Sequence, residues 1–237
     1  MLFVFKRNRF IVGILILSLV VFACGIFKTF IFSDQETFLP SEGRTIIIDA
    51  GHGAPDGGAV GQSGVLEKDL NLAVAKALQK FLESGGTQVI LTRSDDNGIF
   101  DGSGSIKNKK VSDIKNREKL MQESEADAFI SIHMNKFPQK QYSGPQVFYS
   151  VNHDDSKKLA ECVQHNMISA LSPVSEREIK EAYDSIYLLK NATIPAVLIE
   201  CGFLSNDLEE KKLLDENYQK QVAWSIYCGI IQYFDDK

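Results

Sequence analysis

An excess of basic residues is missing from this chain of 237 residues. Lys and Arg together number 26 against 31 Asp and Glu, which gives a formal net charge of −5 at pH 7. Because proteins bind nucleic acids largely through basic residues that neutralise phosphates, nucleic acid is not an expected partner. Internal repeats and low-complexity tracts are also missing, and the length suits one domain with a sizeable core. We therefore expect a single folded domain.

Cysteines are few, and their number argues against a disulfide framework. Of the four, Cys24 lies in an apolar N-terminal segment, which leaves Cys162, Cys201 and Cys228. Three cysteines cannot all pair with one another, and free cysteine is among the residues most often buried. We interpret these three as small buried apolar side chains.

Charge is missing from one long stretch near the N-terminus. Residues 10–27 contain no charged side chain and follow Lys6, Arg7 and Arg9. This stretch is close to the roughly 20 apolar residues needed to span a bilayer, and basic residues on its N-terminal side should stay in the cytoplasm. We therefore predict the following order: a cytoplasmic basic flank at 1–9, a transmembrane anchor or signal segment at 10–31, a linker at 32–43 and an exported folded domain at 44–237.

The fate of the apolar segment is open at this point. A signal peptide usually has an apolar stretch of only about 7–15 residues, so the length favours an uncleaved anchor. Residues Val21–Cys24 (VFAC) resemble a lipoprotein processing site, but Phe22 fits that motif poorly. Lipidation is therefore the less favoured alternative.

The rest of the chain alternates between β-branched runs and amphipathic stretches. Strands are predicted at 44–49, 87–92, 128–133, 146–149, 186–189 and 195–200, and helices at 66–83, 112–124, 156–171 and after Asn206. This alternation predicts an α/β fold, with a mixed, mainly parallel twisted sheet of about six strands and helices on both faces. Ligand sites in such sheets lie beyond the carboxyl ends of the strands.

Four side chains suited to metal binding or acid–base chemistry fall at these strand ends. His52 follows the first strand, Glu67 opens the first helix, and His133 and Glu200 end two later strands. Each residue alone has an ordinary structural explanation, such as a hydrogen-bonded loop histidine or a first-turn carboxylate. Together, however, two imidazoles and one carboxylate are a common set of catalytic zinc ligands that leaves a fourth position open for water. Their shared position predicts one metal site.

Four motifs add a family resemblance to this placement. They are Ile48–Gly53 (IDAGHG) with Asp56–Gly58 (DGG), Leu66–Asp69 (LEKD), Ser131–Asn135 (SIHMN) and Ile199–Asn206 (IECGFLSN). In this order they resemble the motifs of the zinc-dependent N-acetylmuramoyl-L-alanine amidases, and the likeness covers residues 44–237. Four separate motifs are more specific than a lone glycine-rich match.

The resemblance implies a reaction and a role for individual residues. The reaction is hydrolysis of the amide that joins the lactyl group of N-acetylmuramic acid to L-alanine of the peptidoglycan stem peptide. By the resemblance, His52, Glu67 and His133 are the ligands of one zinc ion (Zn²⁺), and Glu200 is the catalytic glutamate. Asn135 falls on a motif position that could shape the substrate groove, or it is a turn residue after a strand. Residues 44–237 would then be the amidase catalytic domain.

Two further segments narrow the resemblance. Tyr142–Tyr149 (YSGPQVFY) and Ile186–Ala192 (IYLLKNA) are similar to the small amidases of the spore cortex, which combine an N-terminal membrane segment with one amidase domain. This similarity implies a role in muramic-lactam formation, with a peptidoglycan deacetylase acting downstream and, for some such enzymes, a lipoprotein partner. It also implies an exported protein, secreted or held at the outer face of the cytoplasmic membrane, and in the forespore intermembrane space if it is specific to sporulation. Cys201 departs from the small apolar or hydroxyl residue expected at its position.

Two other functions share some of these features. A non-catalytic wall-binding module would hold a structural zinc, but structural zinc sites usually have four protein ligands, and only three match here. A zinc peptidase that cuts within the stem peptide would use the same ligands and differ in its products. Arg93 and Arg117 are interpreted either as groove residues that contact the acidic stem peptide or as structural ion-pairing residues. The segment 94–110 is either a solvated surface loop or a groove wall.

Overall fold

The structure is a computed structural model that describes Ser18, residues 39–172 and residues 175–237. The predicted segments 1–9 and 10–31 lie outside these ranges except for Ser18. Within the described part of the chain, no helix is both long enough and apolar enough to cross a bilayer. The compact unit runs from Leu39 to Lys237, so it takes in the last five residues of the predicted linker.

One mixed sheet forms the centre of the described fold. Its strands are β1 (Thr45–Ala50), β2 (Gln88–Leu91), β3 (Ala128–Asn135), β4 (Gln146–Tyr149), β5 (Lys180–Glu181) and β6 (Ala196–Phe203). They lie in the order β2-β1-β3-β6-β4-β5. The pair of β4 with β6 is antiparallel and the other pairs are parallel. This confirms the predicted mixed, mainly parallel α/β sheet.

Helices cover both faces of the sheet. They are α1 (Glu67–Ser84), α2 (Ile106–Glu123), α3 (Asp155–Leu171), α4 (Tyr187–Lys190), α5 (Asp207–Leu213) and α6 (Glu216–Asp235). Because side chains alternate along a strand, Ile46 and Ile48 pack on one face, under α1, α3 and α6, while Ile47 packs on the other, under α2 and α4. These two apolar layers hold the strands whose ends carry the predicted site.

The predicted strand at 186–189 is wrong, because this segment contains helix α4. A four-residue apolar run does not distinguish a strand from a buried helical turn by its pattern, and Leu188 and Leu189 are both buried in the second core. The sixth strand is instead β5, Lys180–Glu181, whose two exposed charged residues carry no strand signal.

Helix α2 begins six residues before its predicted start at Ser112. Ser105 precedes it as the N-cap, and its hydroxyl accepts a hydrogen bond from Asn108 N. The first two turns are mostly polar and largely exposed, and their apolar residues Ile106 and Val111 are exposed as well, so these turns lack the apolar periodicity on which the prediction rested.

Three adjacent parallel strands bring the predicted site together. β1, β3 and β6 are neighbours and end at the same edge of the sheet. His133 of β3 is the direct cross-strand partner of Glu200 in β6, so these two side chains share one face of the sheet. β1 ends at Ala50, two residues before His52.

Candidate metal centre

The three predicted ligands meet at this edge of the sheet. One potential ligand atom from each of His52, Glu67 and His133 lies within 4.8 Å of the other two. Glu67 is in the middle, with Oε2 3.1 Å from His52 Nε2 and Oε1 2.9 Å from His133 Nδ1. The carboxylate is buried, while each imidazole keeps about a fifth of its surface exposed. The centre is therefore reachable from solvent through the histidine side.

The loop after β1 holds His52 in an uncommon backbone conformation. Its φ of 62° lies in the left-handed region, which residues other than glycine seldom adopt. The position directly before it requires a glycine, Gly51, because a Cβ there would lie 2.2 Å from His133 Nε2. This loop can therefore lie close to the His133 ring only because Gly51 has no side chain.

Asp56 fixes the orientation of the His52 ring. Its Oδ2 lies 2.9 Å from His52 Nδ1, on the side of the ring away from Glu67. Carboxylates in this position are the usual partners of metal-binding histidines, because they select the tautomer and hold the ring. Lys110 in turn forms an ion pair with Asp56 at 2.6 Å. The sequence motif contained Asp56, but only the spacing of four residues from His52 hinted at this contact.

Hydrogen bonds hold Glu67 as an ionised carboxylate. Its Oε2 accepts a hydrogen bond from Ala59 N, and its Oε1 accepts one from Met134 N. Burial opposes ionisation, but the hydrogen bonds and charges of His133 and His52 outweigh it and hold the pKa of Glu67 far below its usual value. Burial likewise lowers the pKa of His52, but Glu67 and Asp56 outweigh it and raise that pKa to about 9. Even without a metal ion, the centre therefore carries opposite charges on Glu67 and His52.

Glu200 has a different environment from Glu67. Its Oε2 is buried and has no hydrogen-bond partner among the described residues. Burial raises the pKa of Glu200 to about 7, against the opposing charge of His133. A carboxyl group with a pKa near 7 can both accept and return a proton at neutral pH. Glu200 is therefore suited to acid–base chemistry beside the three predicted ligands.

Both predicted arginines are buried, and Arg117 also lines the cleft beside the centre. Arg117 forms ion pairs with Asp49 and Asp113, as one of its two interpretations predicted. Arg93 is also buried, but its hydrogen bonds go to backbone carbonyl groups. Lys110, the last residue of the predicted 94–110 loop, lies in α2 and lines a cleft of about 220 Å³ beside the centre.

The remaining predicted residues are placed as follows. Asn135 is half-buried at the end of β3, two residues beyond His133. Cys162 and Cys201 are buried free thiols, as expected, and Cys228 is a partly buried one.

Comparison with known proteins identifies the family of the chain. The family model described as N-acetylmuramoyl-L-alanine amidase matches residues 46–232. The germination-specific N-acetylmuramoyl-L-alanine amidase of Bacillus subtilis is 42% identical over 200 residues, which are 84% of this chain and 83% of that protein.

Solved structures show the same fold. The CwlD amidase of Clostridioides difficile, solved in complex with the GerS lipoprotein, is 44% identical with a TM-score of 0.79, and the match covers 82% of this chain and 100% of that one. An N-acetylmuramoyl-L-alanine amidase of Clostridium difficile 630 is 36% identical with a TM-score of 0.71, over 82% of this chain and 98% of that one. The chain therefore belongs to the N-acetylmuramoyl-L-alanine amidase family.

Proposed function

We propose that this amidase works at the centre formed by His52, Glu67 and His133, which hold one zinc ion, with Glu200 as its acid–base residue. The observation that carries the proposal is the convergence of three ligand atoms within 4.8 Å on the strand edge where Glu200 is the cross-strand partner of His133. The bond broken is the amide between the lactyl group of N-acetylmuramic acid and L-alanine of the stem peptide.

The donor set fits zinc. Two imidazole nitrogens and one carboxylate are a common protein contribution to a catalytic zinc site, which keeps one position open. The contact between His52 and Asp56 supplies the outer carboxylate that such a histidine usually has. Backbone N–H groups of Ala59 and Met134 donate to the two carboxylate oxygens of Glu67, which favours the ionised form that a metal ligand needs.

The residues of the chain then divide the chemistry of amide hydrolysis between them. Zinc, when bound, would supply a Lewis acid that makes water more acidic and polarises a carbonyl group. Glu200, as a carboxylate, accepts a proton from the water whose oxygen attacks the lactyl carbonyl carbon. As the C–N bond breaks, protonated Glu200 returns this proton to the nitrogen of alanine. The products are a free stem peptide with an N-terminal amine and a muramoyl carboxylate on the glycan.

A purely structural zinc site fits the centre less well. Structural zinc is usually enclosed by four protein ligands, whereas the described cluster has three residues. Glu200 has a buried oxygen without a hydrogen-bond partner among the described residues, and such a site would give this carboxyl group no role. A peptidase that cuts within the stem peptide would use the same residues, so its products decide that alternative.

The biological setting is a further part of the proposal. By analogy with the germination-specific relative and the CwlD structure, this chain acts on spore-cortex peptidoglycan before a deacetylase completes the muramic lactam. Residues 44–237 form its catalytic domain, Asn135 helps to shape the substrate groove, and the apolar N-terminal segment keeps the exported protein at the membrane. A lipoprotein partner assists it, as the complex of the CwlD amidase with GerS suggests.

Analysis of the reaction products tests the function. The full chain, purified in a mild detergent, is incubated with denuded peptidoglycan with added zinc or with a chelator, and the released material is identified by mass spectrometry. We expect free stem peptides that begin with alanine, and none after chelation. Cuts within the stem would make the protein a peptidase, and no release by a zinc-loaded chain, with or without a lipoprotein partner, would leave a binding module.

Two histidine variants provide the matched comparison. His133→Ala should lose both zinc and turnover. His165→Ala removes an exposed histidine on α3 and should change neither.

A further inference from the structure

Side-chain hydrogen bonds to backbone carbonyl groups hold the loop that carries His52 from the interior side of the protein. Arg93 Nε and Arg117 Nη1 both donate to the carbonyl oxygen of Ala50, at 2.9 and 2.8 Å. Arg117 Nη2 donates to the carbonyl oxygen of His52 itself. The carbonyl oxygen of Gly51, between these two, also accepts two side-chain hydrogen bonds. Side-chain donors therefore bind three consecutive carbonyl groups of this loop.

Arg93 connects this loop to the segment that carries Glu67. Its Nη2 donates to the carbonyl oxygen of Gly51 at 3.2 Å and to that of Lys68 at 2.7 Å. Gly51 precedes His52, and Lys68 follows Glu67. One nitrogen atom therefore joins the immediate neighbours of two of the three predicted ligands.

Asn71 makes the same connection from α1. Its Nδ2 donates to the carbonyl oxygen of Gly51 at 3.1 Å and lies 3.4 Å from Glu67 Oε1. The side chain is completely buried. Two side chains from different elements thus hold one carbonyl oxygen and each reaches the Glu67 segment as well.

The chemistry of Arg93 is unusual for a residue that only fills space. Its side chain is buried, and among the described residues its hydrogen-bonded acceptors are four carbonyl oxygens, of Ala50, Gly51, Lys68 and Asp95. A buried cation without a paired carboxylate is costly, and an apolar side chain would fill the same volume at less cost. Only a guanidinium can reach several carbonyl groups in fixed directions, because a lysine ammonium is a single point.

We propose that Arg93 and Asn71 are positioning residues of the metal centre, which set the spacing between His52 and Glu67 by holding the Gly51 carbonyl against the first turn of α1. Both residues are buried and neither is one of the three proposed ligands. The inference deepens the proposed function, because it takes His52 and Glu67 as metal ligands.

Zinc affinity of the full chain is the measurement that tests this proposal. It is determined for wild type, Arg93→Lys and Asn71→Leu by competition with a chromogenic chelator. Thermal unfolding in excess chelator reports the stability of the metal-free fold separately. Loss of an outer contact of a metal site typically lowers metal affinity about 10–100-fold, and we expect a loss of that size in both variants.

Gly229→Ala is the matched control for general destabilisation. Gly229 lies in α6 where this helix crosses α3, and a Cβ there would lie 2.5 Å from Val163 Cα. The substitution should lower the unfolding temperature in chelator, because the helices must separate, but it should leave zinc affinity within about twofold of wild type.

The possible outcomes separate the proposals. If wild type binds no zinc, the proposed function fails. If wild type binds zinc and the two variants bind it equally well, or lose no more affinity than Gly229→Ala, the positioning role is overturned. A variant that folds only in excess zinc has a destabilised metal-free fold, so its loss of apparent affinity does not support the positioning role of that residue and overturns the assignment for it. A variant that does not fold at any zinc concentration shows that its residue serves the fold, which overturns the assignment for that residue.

Discussion

Among single residues, Glu200 combines a raised pKa with a buried carboxyl oxygen that has no hydrogen-bond partner in the part of the chain that the structure describes. The Glu200→Gln variant keeps the shape of this side chain but cannot accept a proton. We expect kcat/KM on peptidoglycan to fall by about 10²–10⁴-fold, the usual contribution of general acid–base catalysis, with zinc affinity unchanged. Glu161→Gln, an exposed change on α3, should behave like wild type. Retained activity in Glu200→Gln would mean that another residue is the base.

The same carboxyl group should influence how the stability of the metal-free chain depends on pH. The pKa of Glu200 is about 7 in the folded chain against 4.5 as its ordinary value. Because the folded state binds the proton more tightly, protonation stabilises it: this contribution is complete below pH 4.5 and is lost as the pH rises through 7. The loss amounts to about 3 kcal/mol.

Urea unfolding in excess chelator measures this effect. Relative to wild type, Glu200→Gln should gain about 3 kcal/mol in free energy of unfolding between pH 4.5 and pH 8. Groups that do not interact with Glu200 contribute equally to the two curves, so the difference reports Glu200 and the charges coupled to it. Parallel curves for the two proteins would show that the Glu200 carboxyl group is not protonated near neutral pH.

At the scale of single elements, the cap of α5 secures the end of β6. Asn206 Oδ1 accepts hydrogen bonds from Leu208 N and Glu209 N, and the Glu209 carboxylate accepts from Phe203 N and Gly144 N. Asn206→Ala should lower the free energy of unfolding by about 1 kcal/mol. Asn206→Asp keeps an N-cap acceptor and should stay close to wild type in urea unfolding. An equal loss in both variants would contradict a capping role.

The sequence predicted those elements whose residues repeat with a clear period. β3 and β6 are mainly apolar segments between turns, and both strands were predicted for that reason. Each continues past its predicted end at His133 or Glu200, β3 to Asn135 and β6 to Phe203. The first two turns of α2 and the two-residue strand β5 are mostly polar and exposed, so their residues show no apolar period. α4 was mistaken for a strand because four apolar residues fit both structures.

At the scale of the whole molecule, the meeting of His52, Glu67 and His133 could be expected because the carboxyl ends of neighbouring parallel strands lie at one edge. The order of the strands could not be predicted, and neither could the hydrogen bonds that hold the centre from its interior side. Arg93 and Asn71 contact a carbonyl group at least 20 residues away along the chain, and no local pattern records such contacts. The motif resemblance supplied roles for the residues at the centre but none for the residues that hold it.

The folded unit begins before Arg44. Ser41 is completely buried, and Thr87 Oγ1 lies 2.8 Å from its hydroxyl and 3.0 Å from its carbonyl oxygen. Gly43 N also donates to Gly86 O. A fragment of residues 44–237 loses these contacts, whereas a fragment of residues 39–237 keeps them.

The free energy of unfolding, measured in urea, should therefore be about 1–2 kcal/mol lower for the shorter fragment, because each lost hydrogen bond contributes about 1 kcal/mol. Ser41→Ala in the longer fragment removes only the hydroxyl contact and should fall between the two. Zinc affinity should be equal in all three, since Thr87 precedes β2 and lies at the opposite end of the sheet from the metal centre. Equal stability of the two fragments would mean that the domain begins at Arg44 and that residues 39–43 belong to the linker.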